Sequence, residues 1–138
     1  MGVTEDVQER VRTILGSAWN ESKSEEVPNT ERVSLTNGAV EIEAAFLYAD
    51  LAGSTDLQKD YAKSFSAKAL RMYLGGSSAI IRHFGGDIKS FDGDRVMGVF
   101  TGGRKCNDSV RAAFMINWAH PNRGCRAVGG PVGASVTG

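Results

Sequence analysis

Two aspartates, Asp50 and Asp94, occupy positions at which a sheet can direct carboxylates toward a common point. Asp50 follows the apolar run Ala44–Tyr48, which predicts a buried strand, and Asp94 follows Asp92-Gly93, a strong hairpin signal. Two such carboxylates supply the hard oxygen ligands that Mg²⁺ prefers, leaving positions for water and substrate phosphates. The Gly53-Ser54-Thr55 turn precedes a predicted helix and would offer backbone N–H groups to a phosphate. This set predicts metal-assisted phosphoryl chemistry on a nucleotide.

Each of these polar residues also has a simpler interpretation. An isolated aspartate after a strand is commonly a turn residue or a helix cap. Asp92 could be a third metal ligand, although a hairpin-turn aspartate is the simpler interpretation. Arg95 could reach a phosphate, although a surface arginine on a strand is the preferred interpretation. The two histidines, His83 and His120, have no partners at catalytic spacing and are interpreted as incidental.

The N-terminal part of the chain contains one predicted helix followed by polar sequence. Apolar residues at spacings of three and four predict an amphipathic helix over Thr4–Ala18, with Thr4 as its cap. The residues that share its apolar face are Val7, Val11, Ile14, Leu15 and Ala18. Residues 20–43 are polar and contain turn residues, and we interpret them as a linker with one extended piece, Arg32–Leu35.

The rest of the chain alternates between strand and helix patterns. A helical region over Asp56–His83 follows the first strand, and Gly75-Gly76 should divide or kink it. Ile88–Phe91 and Arg95–Phe100 are then predicted as the two strands of the hairpin. A last amphipathic helix is predicted over Asn107–Trp118, with Val110, Ala113, Phe114 and Trp118 on one face. This order fits an α+β or α/β sandwich.

Composition limits the classes of function. The 138 residues allow one compact domain, and 16 basic against 16 acidic side chains give no positive excess for non-specific binding of nucleic acid. We find no apolar run of about 18 residues for a membrane span and no signal-peptide core in Met1–Arg10, so we expect a cytoplasmic protein. Cys106 and Cys125 are interpreted as unpaired thiols. From Ala119 onward the sequence is rich in glycine and lacks acidic residues, and we expect a disordered or loosely packed tail.

Two segments, Phe46–Thr55 and Gly85–Phe100, resemble the class III nucleotidyl cyclase catalytic domain in their residues, order and separation. The resemblance covers about Ala44–Trp118, roughly the first half of that domain. It implies an α+β, ferredoxin-like cyclase-type sandwich that is only partial. We therefore expect an N-terminal helix at 1–19, a linker at 20–43, the partial cyclase domain at 44–118 and an irregular tail at 119–138.

The resemblance also implies a mechanism and a set of site residues. Asp50 and Asp94 would bind two Mg²⁺ or Mn²⁺ ions, with the Leu51 carbonyl completing one coordination shell. The residues implied to contact the triphosphate are Ala52, Gly53, Ser54 and Thr55. The ribose 3′-hydroxyl would attack the α-phosphorus and release pyrophosphate. Members of this family work as head-to-tail dimers with shared sites, which implies a homodimer.

The choice of base depends on Lys89, the candidate base-reading residue in the strand before Asp94. The turn at Asp92-Gly93-Asp94 is one residue longer than the usual Gly-Asp turn, which shifts the register of Lys89. The motifs are similar to those of bacterial pyrimidine cyclases of phage-defence (Pycsar-type) systems. That similarity implies UTP or CTP as substrate and cyclic UMP or CMP as a messenger that activates a partner effector. Tyr48 shares a strand face with Asp50 and could border the nucleotide, although a core tyrosine is the simpler interpretation.

The chain departs from the family after Trp118, where nothing matches the second half of the domain. That half supplies an asparagine and an arginine that stabilise the transition state from the dimer partner. Positioned donors of this kind are often worth about 3 kcal/mol each in barrier height. Two alternatives therefore stay open: an adenylate cyclase that makes cyclic AMP, and a weak or inactive cyclase-like fragment that binds nucleotide or a partner cyclase.

Overall fold

The computed structural model describes residues 2–29, 31 and 37–120 in full and residues 133–137 as backbone. The chain divides into two compact units, Met1–Glu43 and Ala44–Gly138. The first unit contains helix α1 (Val3–Gly16) and strands β1 (Asn20–Ser24) and β2 (Gly38–Ile42). Within the described ranges, no helix combines the length and the apolar content needed to cross a bilayer.

Helix α1 confirms the predicted N-terminal helix but starts and ends earlier than predicted. Its N-cap is Gly2, whose N–H donates to Glu5 Oε2 at 2.5 Å, so the prediction that Thr4 caps the helix is wrong. Thr4 lies inside the first turn, because the helix begins at Val3, directly after the extended backbone of Gly2. None of the residues of α1 is buried, and Leu15 on its apolar face is 80% exposed.

Strands β1 and β2 lie in the stretch that the sequence suggested as a linker. They pair in parallel, from Asn20 opposite Gly38 to Ser24 opposite Ile42. The Asn37 side-chain amide donates to the carbonyls of Ile14, at 2.7 Å, and Ser17, at 2.8 Å. This contact satisfies carbonyls that the end of a helix leaves without partners and ties α1 to the start of β2. The predicted extended piece at 32–35 lies outside the described residues, as does Cys125.

The second unit is a two-layer α+β sandwich, which confirms the predicted fold class. Its elements in chain order are β3 (Ala44–Asp50), α2 (Ser54–Asp60), α3 (Lys63–His83), β4 (Asp87–Asp92), β5 (Arg95–Thr101), α4 (Lys105–Ala119) and β6 (Gly133–Thr137). The four strands form one antiparallel sheet in the order β4-β5-β3-β6. Helices α3 and α4 pack against this sheet and against each other.

The pairing of β3 with β5 sets the two faces of the sheet. It runs from Ala44 opposite Thr101 to Asp50 opposite Arg95. Alternate residues of β3 belong to the core, whereas those between them belong to the opposite face. The buried core residues of the two strands are Ala45, Leu47, Ala49, Val96 and Phe100, which pack with Tyr73 and Ile81 of α3 and Ile116 of α4. Asp50 is consequently on the face that does not contribute to the core.

Strand β6 forms at the end of the chain, where the sequence shows no strand period. Its backbone pairs antiparallel with β3, from Phe46 opposite Thr137 to Asp50 opposite Gly133. So short a segment becomes a strand only when it can hydrogen-bond to the edge of a neighbouring strand, and β3 provides that edge. Residues 121–132, the greater part of the expected tail, lie outside the described residues.

Helix α3 continues through Gly75-Gly76, so the predicted break at these glycines is wrong. The division between helices falls instead at Tyr61, where α2 ends in extended backbone before α3 begins at Lys63. Gly76 has a packing role: a Cβ there would lie 3.1 Å from Cε1 of His120. The glycine is therefore explained by close contact between helices rather than by a turn.

Helix α4 confirms the last predicted helix, but three of the four residues of its predicted apolar stripe are exposed, and only Ala113 packs against the core. Its buried residues are Ser109, Ala112 and Ile116, whereas Phe114 is 72% and Trp118 is 52% exposed. Small side chains on the buried face allow the helix to lie close to the sheet. Hydrophobic spacing therefore predicts the helix correctly but does not predict which face is buried.

His120, which follows α4, is part of the core and is not incidental. It is 7% exposed, its Nε2 lies 3.1 Å from Ser77 Oγ, and its ring centroid is 4.5 Å from that of Tyr73. Because burial removes water from the imidazole, the pKa of His120 lies below its ordinary value of 6.5.

We expect Gly98→Ala to lower the free energy of unfolding by about 1–3 kcal/mol, because it overpacks the core. A Cβ at Gly98 would lie 2.7 Å from Cγ2 of Ile81, which is fully buried. Gly75→Ala is the matched control, since outside its own helix backbone its Cβ would meet no atom of the described residues within 4 Å. In a helix that change should be neutral or stabilising by up to about 1 kcal/mol. Urea unfolding measures both, and equal stabilities would contradict the packing assignment.

We also expect stability to fall as pH drops below 6.5, the unfolded pKa of His120. The unfolded chain then binds a proton that the folded chain does not, until pH passes below the lower folded pKa and the loss levels off. The slope contributed by one such group is at most about 1.4 kcal/mol per pH unit. Urea unfolding between about pH 8 and pH 5 should show this slope removed by His120→Gln. His83 is exposed, so His83→Gln should keep the slope, and loss of the slope there would overturn the assignment.

Candidate active site

The hairpin between β4 and β5 delivers Asp94 to the end of β3. Asp92 pairs with Arg95, so the loop contains only Gly93 and Asp94. Gly93 has φ +63°, and no residue other than glycine has positive φ among those described, which is the pattern of a type II′ turn. The Leu51 N–H donates to the Asp94 carbonyl at 3.2 Å. The two predicted site segments therefore meet through the backbone, at residues that are 43 positions apart in sequence.

Asp50 is the last residue of β3, and its two carboxylate oxygens have different surroundings. Oδ2 lies 3.5 Å from Nη2 of Arg95, the residue directly opposite on β5. Oδ1 is buried and has no hydrogen-bond partner among the described residues. A buried, unpaired carboxylate oxygen is costly, because it has lost water without gaining a donor. Asp50 thus retains an unused acceptor of the kind that a hard cation would satisfy.

The loop between β3 and α2 brings Ser54 to Asp94. Ser54 Oγ donates a hydrogen bond to Asp94 Oδ2. Gly53 has φ +75°, and the Ser54 N–H donates to the Leu51 carbonyl at 3.3 Å, so the chain turns sharply before α2 begins. Ala52 is half-buried, whereas Thr55 is exposed. The predicted phosphate-binding turn is therefore a left-handed glycine turn in direct contact with one predicted metal ligand.

Lys89 lies at an irregularity of β4. Ile88 is opposite Gly98 and Ser90 is opposite Met97, so Lys89 has no opposite residue on β5. The prediction that a longer turn shifts the register of Lys89 is wrong, because the loop has only two residues. The irregularity of β4 is instead a bulge at Lys89 itself. The Lys89 side chain is exposed.

Arg95 is more closely connected to the site than the sequence suggested. Besides its ion pair with Asp50, its guanidinium carbon lies 6.0 Å from the ring centroid of Tyr48, which is half-buried on the same face of β3. The interpretation as a surface arginine is therefore incomplete. Its proximity follows from the pairing of β3 with β5, which no signal within either strand specifies. Asp92, the alternative third ligand, closes the hairpin opposite Arg95.

The donor set fits a divalent cation. Among the described residues, no group of three or more histidine, cysteine, aspartate and glutamate side chains could hold a metal. An ion here would instead use two carboxylates, the Leu51 carbonyl and oxygens of the substrate, which is how Mg²⁺ is commonly bound beside phosphates. The unpaired Oδ1 of Asp50 is the observation that supports this fit.

Comparisons with known proteins identify relatives of the chain. It is 42% identical to a uridylate cyclase of Rhodovulum sp. (strain MB263) over 119 residues, which are 86% of this chain and 50% of that relative. It is 40% identical to a uridylate cyclase of Burkholderia cepacia over 121 residues, 86% of this chain and 53% of the relative. The chain therefore spans about half the length of the curated relatives it matches. No protein-family model matches it.

Solved structures give the fold independently. A class III adenylyl cyclase-like ATP-binding protein from Pseudomonas aeruginosa matches 98% of this chain with a TM-score of 0.73 and 14% sequence identity. The match covers 32% of that protein. At this identity the likeness establishes the fold, and it agrees with the α+β sandwich predicted from the two motifs.

We expect Ser54→Ala to lower the free energy of unfolding by about 1 kcal/mol, because it leaves Asp94 without its hydroxyl donor. Thr55→Ala changes the neighbouring exposed residue and should stay within about 0.5 kcal/mol of the parent. Urea unfolding of the two variants measures the difference. If Ser54→Ala is as stable as Thr55→Ala, the hydrogen bond does not hold the turn against the hairpin.

Proposed function

Since the chain belongs to the class III nucleotidyl cyclase family, we propose that it binds a nucleoside triphosphate and converts it to a 3′,5′-cyclic nucleotide and pyrophosphate. The observation that carries this proposal is the backbone contact between Leu51 and Asp94, which brings the Asp50 and Asp94 segments to one end of the sheet. The chain spans about half of its relatives, so the complete reaction is proposed here and is not taken over from them.

Asp50, Asp94 and the Leu51 carbonyl would hold two Mg²⁺ or Mn²⁺ ions. Bound divalent ions acidify an attacking hydroxyl and neutralise charge on a departing pyrophosphate. The protein's contribution is to fix the carboxylates: β3 positions Asp50, and the two-residue turn together with Ser54 positions Asp94. Neither carboxylate is therefore carried on a long loop that would have to become ordered when a metal ion binds.

The Ala52-Gly53-Ser54-Thr55 turn is proposed to contact the triphosphate. The first N–H groups of a helix have no acceptor within it, and they attract anions. The Ser54 N–H is already used by Leu51, so the free donors would be those of its neighbours. Apart from Gly53 and its two chain neighbours, no atom of the described residues lies within 4 Å of the position of a Gly53 Cβ, which leaves room for a phosphate at the backbone.

UTP is the first candidate substrate and CTP the second, because the curated relatives are named uridylate cyclases. Lys89, which is exposed on the β4 bulge, is proposed to contact the base, and Tyr48, on the same sheet face as Asp50, is proposed to border the nucleotide. ATP, which would give cyclic AMP, is the alternative that the family resemblance leaves open. The cyclic product is proposed to act as an antiphage messenger on a separate effector protein.

We also propose that the active form is a homodimer, as the family resemblance implies. The site described above consists of residues from one chain only, and the donors expected from a partner would complete it. Sedimentation with and without UTP and Mn²⁺ measures the assembly. A strictly monomeric protein that turns over nucleotide would contradict this part of the proposal.

The decisive experiment incubates the purified chain with ATP, GTP, CTP or UTP plus Mn²⁺ and identifies cyclic products by mass spectrometry. Cyclic UMP or cyclic CMP is expected. Asp50→Ala and Asp94→Ala should each lower product formation by at least about a hundredfold, because each removes a proposed metal ligand.

Asp87→Ala is the matched control. It removes the same charge from the opposite end of β4, where Asp87 is exposed and pairs with Val99, so activity should be retained. Nucleotide binding is measured in parallel by equilibrium dialysis with Mn²⁺. Binding that depends on Asp50 without any product would favour the alternative of a nucleotide-binding fragment. Neither binding nor product with any of the nucleotides would overturn the proposal.

A further inference from the structure

Arg95 occupies the position from which it neutralises Asp50. The two residues are directly opposite in the β3–β5 pairing, with Nη2 of Arg95 3.5 Å from Oδ2 of Asp50. The guanidinium also lies 6.0 Å from the ring centroid of Tyr48, two residues before Asp50 on the same face. Arg95 is thus directed across the neighbouring strand rather than away from the sheet.

Both side chains of this pair remain partly open to solvent, at 47% for Arg95 and 46% for Asp50. An ion pair of this exposure is weak, and water can replace either partner at little cost. Asp50 Oδ1 meanwhile has no donor among the described residues. The carboxylate is therefore only half satisfied by arginine, which leaves it able to exchange that partner for a stronger one.

We propose that Arg95 is the counter-cation of Asp50 in the metal-free protein and that a divalent cation must displace it. Arginine and the cation compete for one carboxylate, so Arg95 sets the concentration of cation needed to fill the site. The inference rests on the proposed function in that it takes Asp50 as a metal ligand. It adds a residue that acts on metal occupancy before any nucleotide is present.

Among the described residues, no basic side chain forms an ion pair with Asp94. Its Oδ2 accepts from the neutral hydroxyl of Ser54, which can remain in place beside a bound cation. Arginine carries a full charge that repels an incoming divalent ion. Loss of Arg95 should therefore tighten metal binding, whereas loss of the Ser54 hydroxyl should not.

The test titrates the full chain with Mn²⁺ alone and measures free Mn²⁺ by electron paramagnetic resonance. Arg95→Gln should bind Mn²⁺ about two- to fivefold more tightly than the parent, the range that corresponds to an ion pair of this exposure. Arg95→Lys retains the charge and should lie close to the parent. Circular dichroism verifies that both variants are folded.

Lys89→Gln is the matched control, because it removes one positive charge from the next strand of the same sheet. If Lys89→Gln tightens Mn²⁺ binding as much as Arg95→Gln does, the effect comes from the loss of positive charge in general and not from the contact of Arg95 with Asp50. That result would overturn the inference. Unchanged or weaker binding in Arg95→Gln overturns it as well.

Asp50→Asn separates the inference from the proposal on which it rests. If the parent binds Mn²⁺ and Asp50→Asn does not, the metal site stands and Arg95→Gln alone decides the inference. Binding by Arg95→Gln but not by the parent would support the inference strongly. If neither binds Mn²⁺, both the metal site and the competition are wrong.

Discussion

The antiparallel pairing of β3 with β5 is the constraint on which the rest of the second unit depends. Its register places Asp50 opposite Arg95 and, because strand residues alternate, fixes Ala49 and Val96 in the core on the other face. A slip by one residue would exchange these faces, burying the carboxylate and exposing the core. The same pairing fixes where the tight turn ends and hence where Asp94 meets Leu51. Packing in the core thus fixes the positions of the proposed active-site residues on the opposite face.

Much of this arrangement is predictable from the sequence. The apolar run before Asp50 and the Asp-Gly turn after Phe91 specify two strands and a hairpin, because each signal is local. Contacts between segments are not local, and they are what the sequence leaves open. The pairing of Asp50 with Arg95 requires knowing which strands are neighbours, and the hydrogen bond from Ser54 to Asp94 requires knowing how the loop folds back.

Small residues account for the places where helix prediction fails. Gly75-Gly76 suggests a break, yet α3 continues through both residues, and the absence of a side chain at Gly76 leaves room for the His120 ring. On α4, Ala112 and Ser109 are buried while Phe114 is exposed, the reverse of what residue hydrophobicity alone indicates. In both helices the steric requirement for close packing outweighs a simpler tendency: that of glycine to interrupt a helix in α3, and that of large apolar residues to be buried in α4. Such requirements depend on the partner surface and cannot be read from one helix.

The order of strands in the sheet has a consequence for how the site assembles. Strands β4 and β5 are joined by two residues, so the hairpin that carries Asp94 closes over a very short loop. Strand β6 must reach β3 from the other end of the unit, since Phe46 is opposite Thr137. Closing a long loop costs more chain entropy, and contacts distant in sequence slow folding. We therefore expect the hairpin that carries Asp94 to form early in folding, and β3, which carries Asp50, to pair with β6 later.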